Sequence, residues 1–250
     1  MVDNKDQVVF VSGIGGNLGK SIAKYYLEKG YTVVGITSKD PKKTNIFNLN
    51  SDYLKDLYLY KTDITSYFKT QKVIEKINKK FSLNKIINCI GSSAGLGDPL
   101  KSSKSLDLIL RINFGSIVQI IETILKNNSP DVICNIASIS GVENHGHPIY
   151  CSSKSALIAY TRSIGRYLSS KNISVFSVSP GAFEDKSGYW NNIKKTDKKK
   201  YLKFAQERTS IGRIPNTKEI SNFIIDMINT SSPLMSGNNY IFDGGQGRSW

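Results

Sequence analysis

Tyr150 and Lys154 stand four residues apart in Tyr150-Cys151-Ser152-Ser153-Lys154, downstream of Ser138 and of a glycine-rich turn that runs from Gly13 to Gly19. Four residues are about one helical turn, so on a helix the phenol and the ammonium leave the same face. A cation held beside a phenol lowers its pKa from about 10 and makes it a proton donor and acceptor usable near neutrality. Tyr-x-x-x-Lys by itself also describes an ordinary surface pair on a helix. Its weight here comes from an upstream Ser, a further Asn and a turn of the dinucleotide-binding type.

That turn reads Ser12-Gly13-Ile14-Gly15-Gly16-Asn17-Leu18-Gly19, between the apolar run Val8-Val9-Phe10-Val11 and a helical spacing that starts at Leu18. Glycines let the backbone bend sharply and approach a diphosphate, whose charge meets the unpaired N–H groups of a helix start. They fall at 13, 16 and 19 rather than in the plain G-x-G-x-x-G spacing of other dinucleotide folds. A tight strand-to-helix turn with no ligand is the alternative. The end of the second strand chooses between dinucleotides: a carboxylate there binds the ribose 2′-hydroxyl, and a cation in its place favours a 2′-phosphate. Thr37, Ser38 and Lys39 occupy that end without a carboxylate, which favours NADP(H). Asp40 is near enough to keep NAD(H) open.

Around these residues β-branched runs alternate with helical patterns, which argues for parallel βαβ units. Strands are expected at 8–11, 32–36, 57–60, 86–90, 132–136, 173–178 and 239–242. Helices are expected from Leu18 to a stop at Gly30, then over 106–125, 150–168 and 219–228. The expected fold is α/β: a Rossmann-like, doubly wound, seven-stranded parallel sheet with helices on both faces. Between 182 and 214 the pattern gives way to a polar, Lys-rich stretch with one short helix expected near 201–207. An insertion of that length in a compact fold is usually a lid or binding loop. With no internal repeat and no long linker, the 250 residues are expected to form one domain, 1–250, with a substrate lid at about 182–214.

Composition narrows the partners. The formal charge of +14 invites a nucleic-acid reading, but the lysines are scattered, with one cluster at Lys194-Lys195 and Lys198-Lys199-Lys200. No zinc finger, RNP-like aromatic motif or basic heptad accompanies them, so no specific nucleic acid is expected. The charge is either a solvated surface or an attraction for an anionic substrate or an acidic partner protein. No apolar run is long enough to span a bilayer, and Met1 to Gln7 lacks the apolar stretch of a secretory signal, so a soluble cytoplasmic protein with no membrane contact is expected. Cys89, Cys134 and Cys151 are too few and too scattered for a disulfide framework or a zinc site, and no metal is expected. Cys89 and Cys134 lie inside apolar runs and read as core residues.

With these motifs in order, the chain resembles the short-chain dehydrogenases/reductases, in their compact single-domain form, over residues 8–245. The turn is similar to the family's Thr-Gly-x-x-x-Gly-x-Gly, with Ser12 for Thr and Asn17 in the middle Gly slot; Asn tolerates positive φ, which lets the turn survive. Asp63-Ile64 resembles the family's Asp-Val beside the adenine, and Asn88-Cys89-Ile90-Gly91 stands where the family has Asn-Asn-Ala-Gly. Ser236-Gly237 and Asp243-Gly244-Gly245 resemble the family's last strand and its ending. The resemblance assigns Gly13, Gly16, Asn17, Leu18, Gly19, Thr37, Ser38, Lys39, Asp63, Ile64, Asn88, Gly91, Tyr150, Lys154, Pro180 and Gly181 to the cofactor.

The catalytic set it implies is Asn113, Ser138, Tyr150 and Lys154. Tyr150 would protonate a carbonyl oxygen as hydride arrives from the nicotinamide, or remove the proton in reverse. Ser138 would donate to the same oxygen. Lys154 would depress the Tyr150 pKa and hold the nicotinamide ribose, and Asn113 would position a water relaying protons to Lys154. Each has a plainer alternative: Ser138 as a turn residue, Asn113 as a helix polar residue, Lys154 as a surface lysine. A non-catalytic dinucleotide-binding protein would be favoured only by loss of Tyr150 or Lys154.

Two places depart from the family pattern or add to it. The family often has a Thr four residues past the Gly of Pro180-Gly181, where this chain has Asp185. His145 and His147 precede Tyr150 and are either substrate contacts or loop residues, as are Tyr189 and Trp190 in the lid. The expected substrate is a small carbonyl or alcohol. Residues 33–38 and the overall length resemble the β-ketoacyl-carrier-protein reductases, whose acidic carriers would give the lysine cluster a use. The polar, aromatic lid equally suits a sugar or nucleotide-sugar ketone. The resemblance also implies a homotetramer, or a homodimer, built through the helices after Ser105 and Tyr150, and the carboxyl end 244–250 is expected near a neighbouring subunit.

Overall fold

Val8-Val9-Phe10-Val11 alternates its side chains between two helical layers, and that alternation organises the whole molecule. In the computed structural model, which describes residues 6–40, 51–93, 96–101, 103–143, 146–186 and 188–248, these residues lie in β1 (Val8–Ser12). Val9 and Val11 face one apolar cluster with Ile22 and Tyr26, while Val8 and Phe10 face another with Ile74, Ile121 and Leu157. Every residue of β1 is buried, as a strand covered on both faces requires.

The chain continues through α1 (Asn17–Glu28), β2 (Thr32–Thr37), α2 (Ser51–Leu54), β3 (Leu57–Lys61), α3 (Tyr67–Asn78) and β4 (Lys85–Asn88). Then come α4 (Leu106–Leu110), α5 (Ser116–Leu125), β5 (Val132–Ile136), α6 (Ser140–Glu143), α7 (Pro148–Ser169) and β6 (Ser174–Pro180). The last elements are α8 (Tyr189–Thr196), α9 (Lys198–Arg208), α10 (Thr217–Asn229) and β7 (Asn239–Phe242). The strands form one seven-stranded sheet in the order β3-β2-β1-β4-β5-β6-β7, every neighbouring pair parallel. The fold is the Rossmann-like α/β sheet expected from the sequence. Strand order reverses between β1 and β4, so a crevice opens beyond their carboxyl ends, where open α/β sheets bind ligands.

Several elements differ from the sequence pattern, α3 among them, for which no helix was expected. The stretch expected as one helix over 106–125 is interrupted by a wider π turn, Arg111–Gly115, between α4 and α5. Buried Asn113 lies in that turn, and its Nδ2 donates to Ile109 O at 3.1 Å and to Ser92 O at 2.8 Å, so the side chain shares backbone acceptors with the helix. Ser103–Leu125 is also long and apolar enough, at a mean hydropathy of 1.6, to cross a bilayer by length and composition, contrary to the sequence reading. Its buried isoleucines pack against the sheet instead, Ile117, Ile120, Ile121 and Ile124 among them.

The lid holds two helices rather than one. Gly188 in extended conformation starts α8, and the Asp197 carboxylate caps α9 by accepting from Lys200 N at 2.9 Å. Trp190 and Ile193 pack against Tyr201, Ala205 and Ile214 in a small apolar cluster of the lid's own.

Candidate active site

The turn after β1 places its residues at the crevice. Gly13 adopts φ +71°, and a Cβ there would lie 2.9 Å from the carbonyl of Cys89, so neither the angle nor the space admits a larger residue. Gly16 N donates to Gly13 O at 3.0 Å and closes the turn. Asn17 is the first residue of α1, with Leu18 and buried Gly19 following in its first turn. Among the described residues Asn172 is the non-glycine with positive φ, so Asn17 fits its slot as a helical residue and not through a left-handed conformation. Its Nδ2 donates to the Asp185 carboxylate at the root of the lid.

Thr37 ends β2 with its hydroxyl accepting from Lys39 N at 3.1 Å, and Ser38 and Lys39 are exposed beside it. Asp63 accepts from both the amide and the hydroxyl of Thr65, which holds its carboxyl below the usual range; Ile64 packs into the apolar layer behind it. Thr37 lies at the carboxyl end of β2, and Asp63 and Ile64 follow β3. Pro180 ends β6, its carbonyl accepting from Ile139 N at 2.9 Å, and Gly181 N donates to Phe242 O at 3.1 Å.

Lys154 lies one turn beyond Tyr150 on α7, as expected, but its surroundings are unlike a surface lysine's. It is 2% exposed, and Nζ donates to Ile136 O at 2.9 Å and lies 3.5 Å from Ile90 O. Burial lowers its pKa to about 8. A Cβ on Gly91 would come 3.0 Å from that Nζ and 3.4 Å from Asn113 Oδ1, so a glycine is what lets amine and amide converge. Asn113 Oδ1 accepts from Ser92 N at 2.9 Å.

Tyr150 corrects one sequence expectation. Burial raises the phenol above its ordinary pKa, and a hydrogen bond with Ser138 only partly opposes that. Nζ of Lys154 is turned toward the carbonyls of Ile136, at the end of β5, and Ile90, just past β4. Ser138 Oγ also accepts from Ser140 N at 3.1 Å, which fixes the hydroxyl beside the start of α6.

A buried polar chain beneath these groups was not legible as a unit. Ser12 Oγ donates to Asn88 Oδ1, Asn88 Nδ2 to Asn135 Oδ1 and Asn135 Nδ2 to Thr161 Oγ1, each at 2.9 Å, and Thr161 Oγ1 donates to Leu157 O at 2.7 Å. It ties β1, β4 and β5 to the helix that carries Tyr150 and Lys154. The available signal was an Asn inside each of two apolar strand runs, Ile-Ile-Asn and Ile-Cys-Asn-Ile.

The low-order candidates divide. His147 immediately precedes α7, and both ring nitrogens are buried with no hydrogen-bond partner among the described residues. His145 lies outside the described residues. Trp190 is committed to the lid's own cluster, its ring 3.9 Å from that of Phe204. Tyr189 is 59% exposed and borders a depression of about 340 Å³ with Lys186, Asn191, Asn192 and Lys195. Glu184 was missed by sequence reasoning: its carboxylate accepts from Lys194 at 2.7 Å and from the Tyr201 hydroxyl, while its backbone bonds Pro215 and Thr217. The carboxyl end packs on the lid root of its own chain, since Gln246 Oε1 accepts from Ala182 N at 2.7 Å.

A family model described as enoyl-(acyl carrier protein) reductase matches residues 13–246. The chain is 26% identical to a 3-oxoacyl-(acyl-carrier-protein) reductase FabG of Buchnera aphidicola, over 96% of each chain. It is 27% identical to an NAD-dependent glycerol dehydrogenase of Listeria innocua, over 96% of this chain and 93% of that one. In fold it is similar to the L-sorbose reductase of Gluconobacter frateurii, complexed with NADPH and L-sorbose. The TM-score is 0.85 at 17% identity, over 99% of this chain and 98% of that one.

Proposed function

Because the chain belongs to the short-chain dehydrogenase/reductase family and is an oxidoreductase working with a nicotinamide dinucleotide, we propose that it is an NADP(H)-dependent reductase converting a ketone to a secondary alcohol. The observation that carries this is the hydrogen-bonded hydroxyl pair of Tyr150, on α7, and Ser138, just past β5, with buried Lys154 one turn along α7 from Tyr150. When bound, the nicotinamide supplies hydride to the carbonyl carbon. Tyr150 gives its proton to the oxygen where charge develops, and Ser138 donates a hydrogen bond to the same atom. Lys154, proton-bearing below a pKa of about 8, favours the phenolate left on Tyr150 and holds the ribose. Asn113 fixes Ser92 and the Gly91 backbone beside that amine.

NADP(H) is the preferred dinucleotide in this reading, since Thr37, Ser38 and Lys39 offer hydroxyls and a cation but no carboxylate; NAD(H) would bind more weakly. The leading substrate is a 3-oxoacyl thioester on an acidic carrier, supported by likeness to 3-oxoacyl-(acyl-carrier-protein) reductases and by the exposed lysines of α8 and α9. A sugar-type ketone is the second reading. The two nitrogens of His147, without a partner among the described residues, favour it, being suited to a substrate hydroxyl. The active form in this proposal is a homotetramer or homodimer joined through α5 and α7.

Fluorescence titration with NADPH and NADH, followed by turnover of an acetoacetyl thioester and a ketose, tests the reading. Tyr150→Phe should keep dinucleotide affinity and lose turnover by about 10²–10⁴-fold. Turnover at the wild-type rate in that variant would remove Tyr150 from the chemistry.

A further inference from the structure

We propose that Asn17 and Asp185 form a latch between the glycine turn and the root of the lid, and that dinucleotide binding must open it. The proposal rests on the dinucleotide reading above. Asn17 Nδ2 donates to Asp185 Oδ1 across 168 residues of sequence. These are two positions at which the chain departs from the pattern it otherwise resembles: an amide stands in a glycine slot and a carboxylate in a threonine slot. A glycine has no donor and a threonine no charge, so the bond needs both departures, and the fold brings them together.

Asp185 is held on a fixed base. Gly188 N donates to its carbonyl at 2.8 Å, and a Cβ on Gly188 would come 2.8 Å from the Asp185 Cβ. Its neighbour Glu184 is bonded to Lys194 and Tyr201, and to the backbone of Pro215 and Thr217. The carboxylate therefore reaches the first turn of α1 from an anchored loop, next to the isolated bridge between Glu184 and Asn216.

That turn is where a diphosphate would dock, at the positive end of the helix dipole with free N–H groups. The field that attracts a diphosphate attracts Asp185 as well. The two anions compete, and like charges brought close together in largely aqueous surroundings weaken binding by about five- to tenfold. Binding thus turns the Asp185 carboxylate off Asn17 and breaks the bond that ties the root of the lid to the glycine turn.

The test is NADPH fluorescence titration of wild type, Asp185→Thr, Asn17→Gly and the double variant, at low and high salt. Asp185→Thr should bind about five- to tenfold tighter than wild type, by less at high salt. The gain should shrink to about threefold or less in the Asn17→Gly background, because the two residues act as a pair. Asp185→Asn, which keeps the shape and removes the charge, replaces Asp185→Thr if the latter melts at a clearly lower temperature. Equal or weaker binding by the Asp185 variants, or full additivity with Asn17→Gly, overturns the latch while leaving the reductase intact. Failure of every protein, wild type included, to bind NADPH or NADH overturns the dinucleotide reading and the latch with it.

Discussion

Replacing Lys154 with Met should change how stability depends on pH more than it changes stability at neutrality. In the folded chain burial lowers the Lys154 pKa from 10.5 to about 8. Below pH 8 the amine is protonated in both states, and the fold bears the whole penalty of a desolvated cation. At 1.36 kcal/mol for each tenfold change in proton affinity, that penalty is about 3 kcal/mol. Between pH 8 and 10.5 the unfolded chain still binds the proton and the folded chain has released it, so this group makes stability rise with pH. Above 10.5 both forms are neutral and the penalty is gone. Other groups slope the opposite way: Cys89 is pushed up to about 12, and Cys134, Cys151 and Tyr160 are also raised, so they resist ionisation only when folded. The informative quantity is therefore the difference between wild type and Lys154→Met. At neutral pH, relief of the charge penalty is offset by leaving Ile136 O without its donor, about 1–3 kcal/mol. Urea unfolding from about pH 7 to about pH 10 should show wild type gaining on the variant by about 2–3 kcal/mol. Parallel curves would mean that the amine is solvated, and the account of the site's base would fail.

Other perturbations test separate parts. Asn135→Ala strands Asn88 Nδ2 inside the fold and removes the donor to Thr161 Oγ1, which keeps its bond to Leu157 O, and should cost about 1–3 kcal/mol in urea denaturation. Glu184→Ala removes the acceptor shared by Lys194 and Tyr201, so tryptic cleavage within α8 and α9 should speed up while global unfolding shifts little. His147→Leu should raise KM for a hydroxylated ketone by about tenfold with kcat near wild type, and leave an acyl thioester unaffected.

Much of this molecule follows from local pattern. The run Val8-Val9-Phe10-Val11, the glycine turn behind it and the one-turn spacing of Tyr150 and Lys154 each depend on backbone geometry over a few residues. That is why the strands, the parallel fold and the helix bearing the Tyr/Lys pair were readable. The π turn at Asn113 was not, because it arises where the side chain meets Ser92 from another segment. Likewise the two lid helices depend on Trp190, Tyr201 and Ile214 finding one another.

The sequence determined which residues the chemistry has available and roughly where along the sheet they fall. Tertiary structure decided their electrical state. The ends of β4 and β5 give Lys154 two carbonyls, the surroundings of Tyr150 hold its proton more tightly than water does, and Asn17 meets Asp185. Spacing along a chain reports dihedral geometry, whereas desolvation and charge pairing depend on which distant strands become neighbours. Only the completed sheet order fixes that.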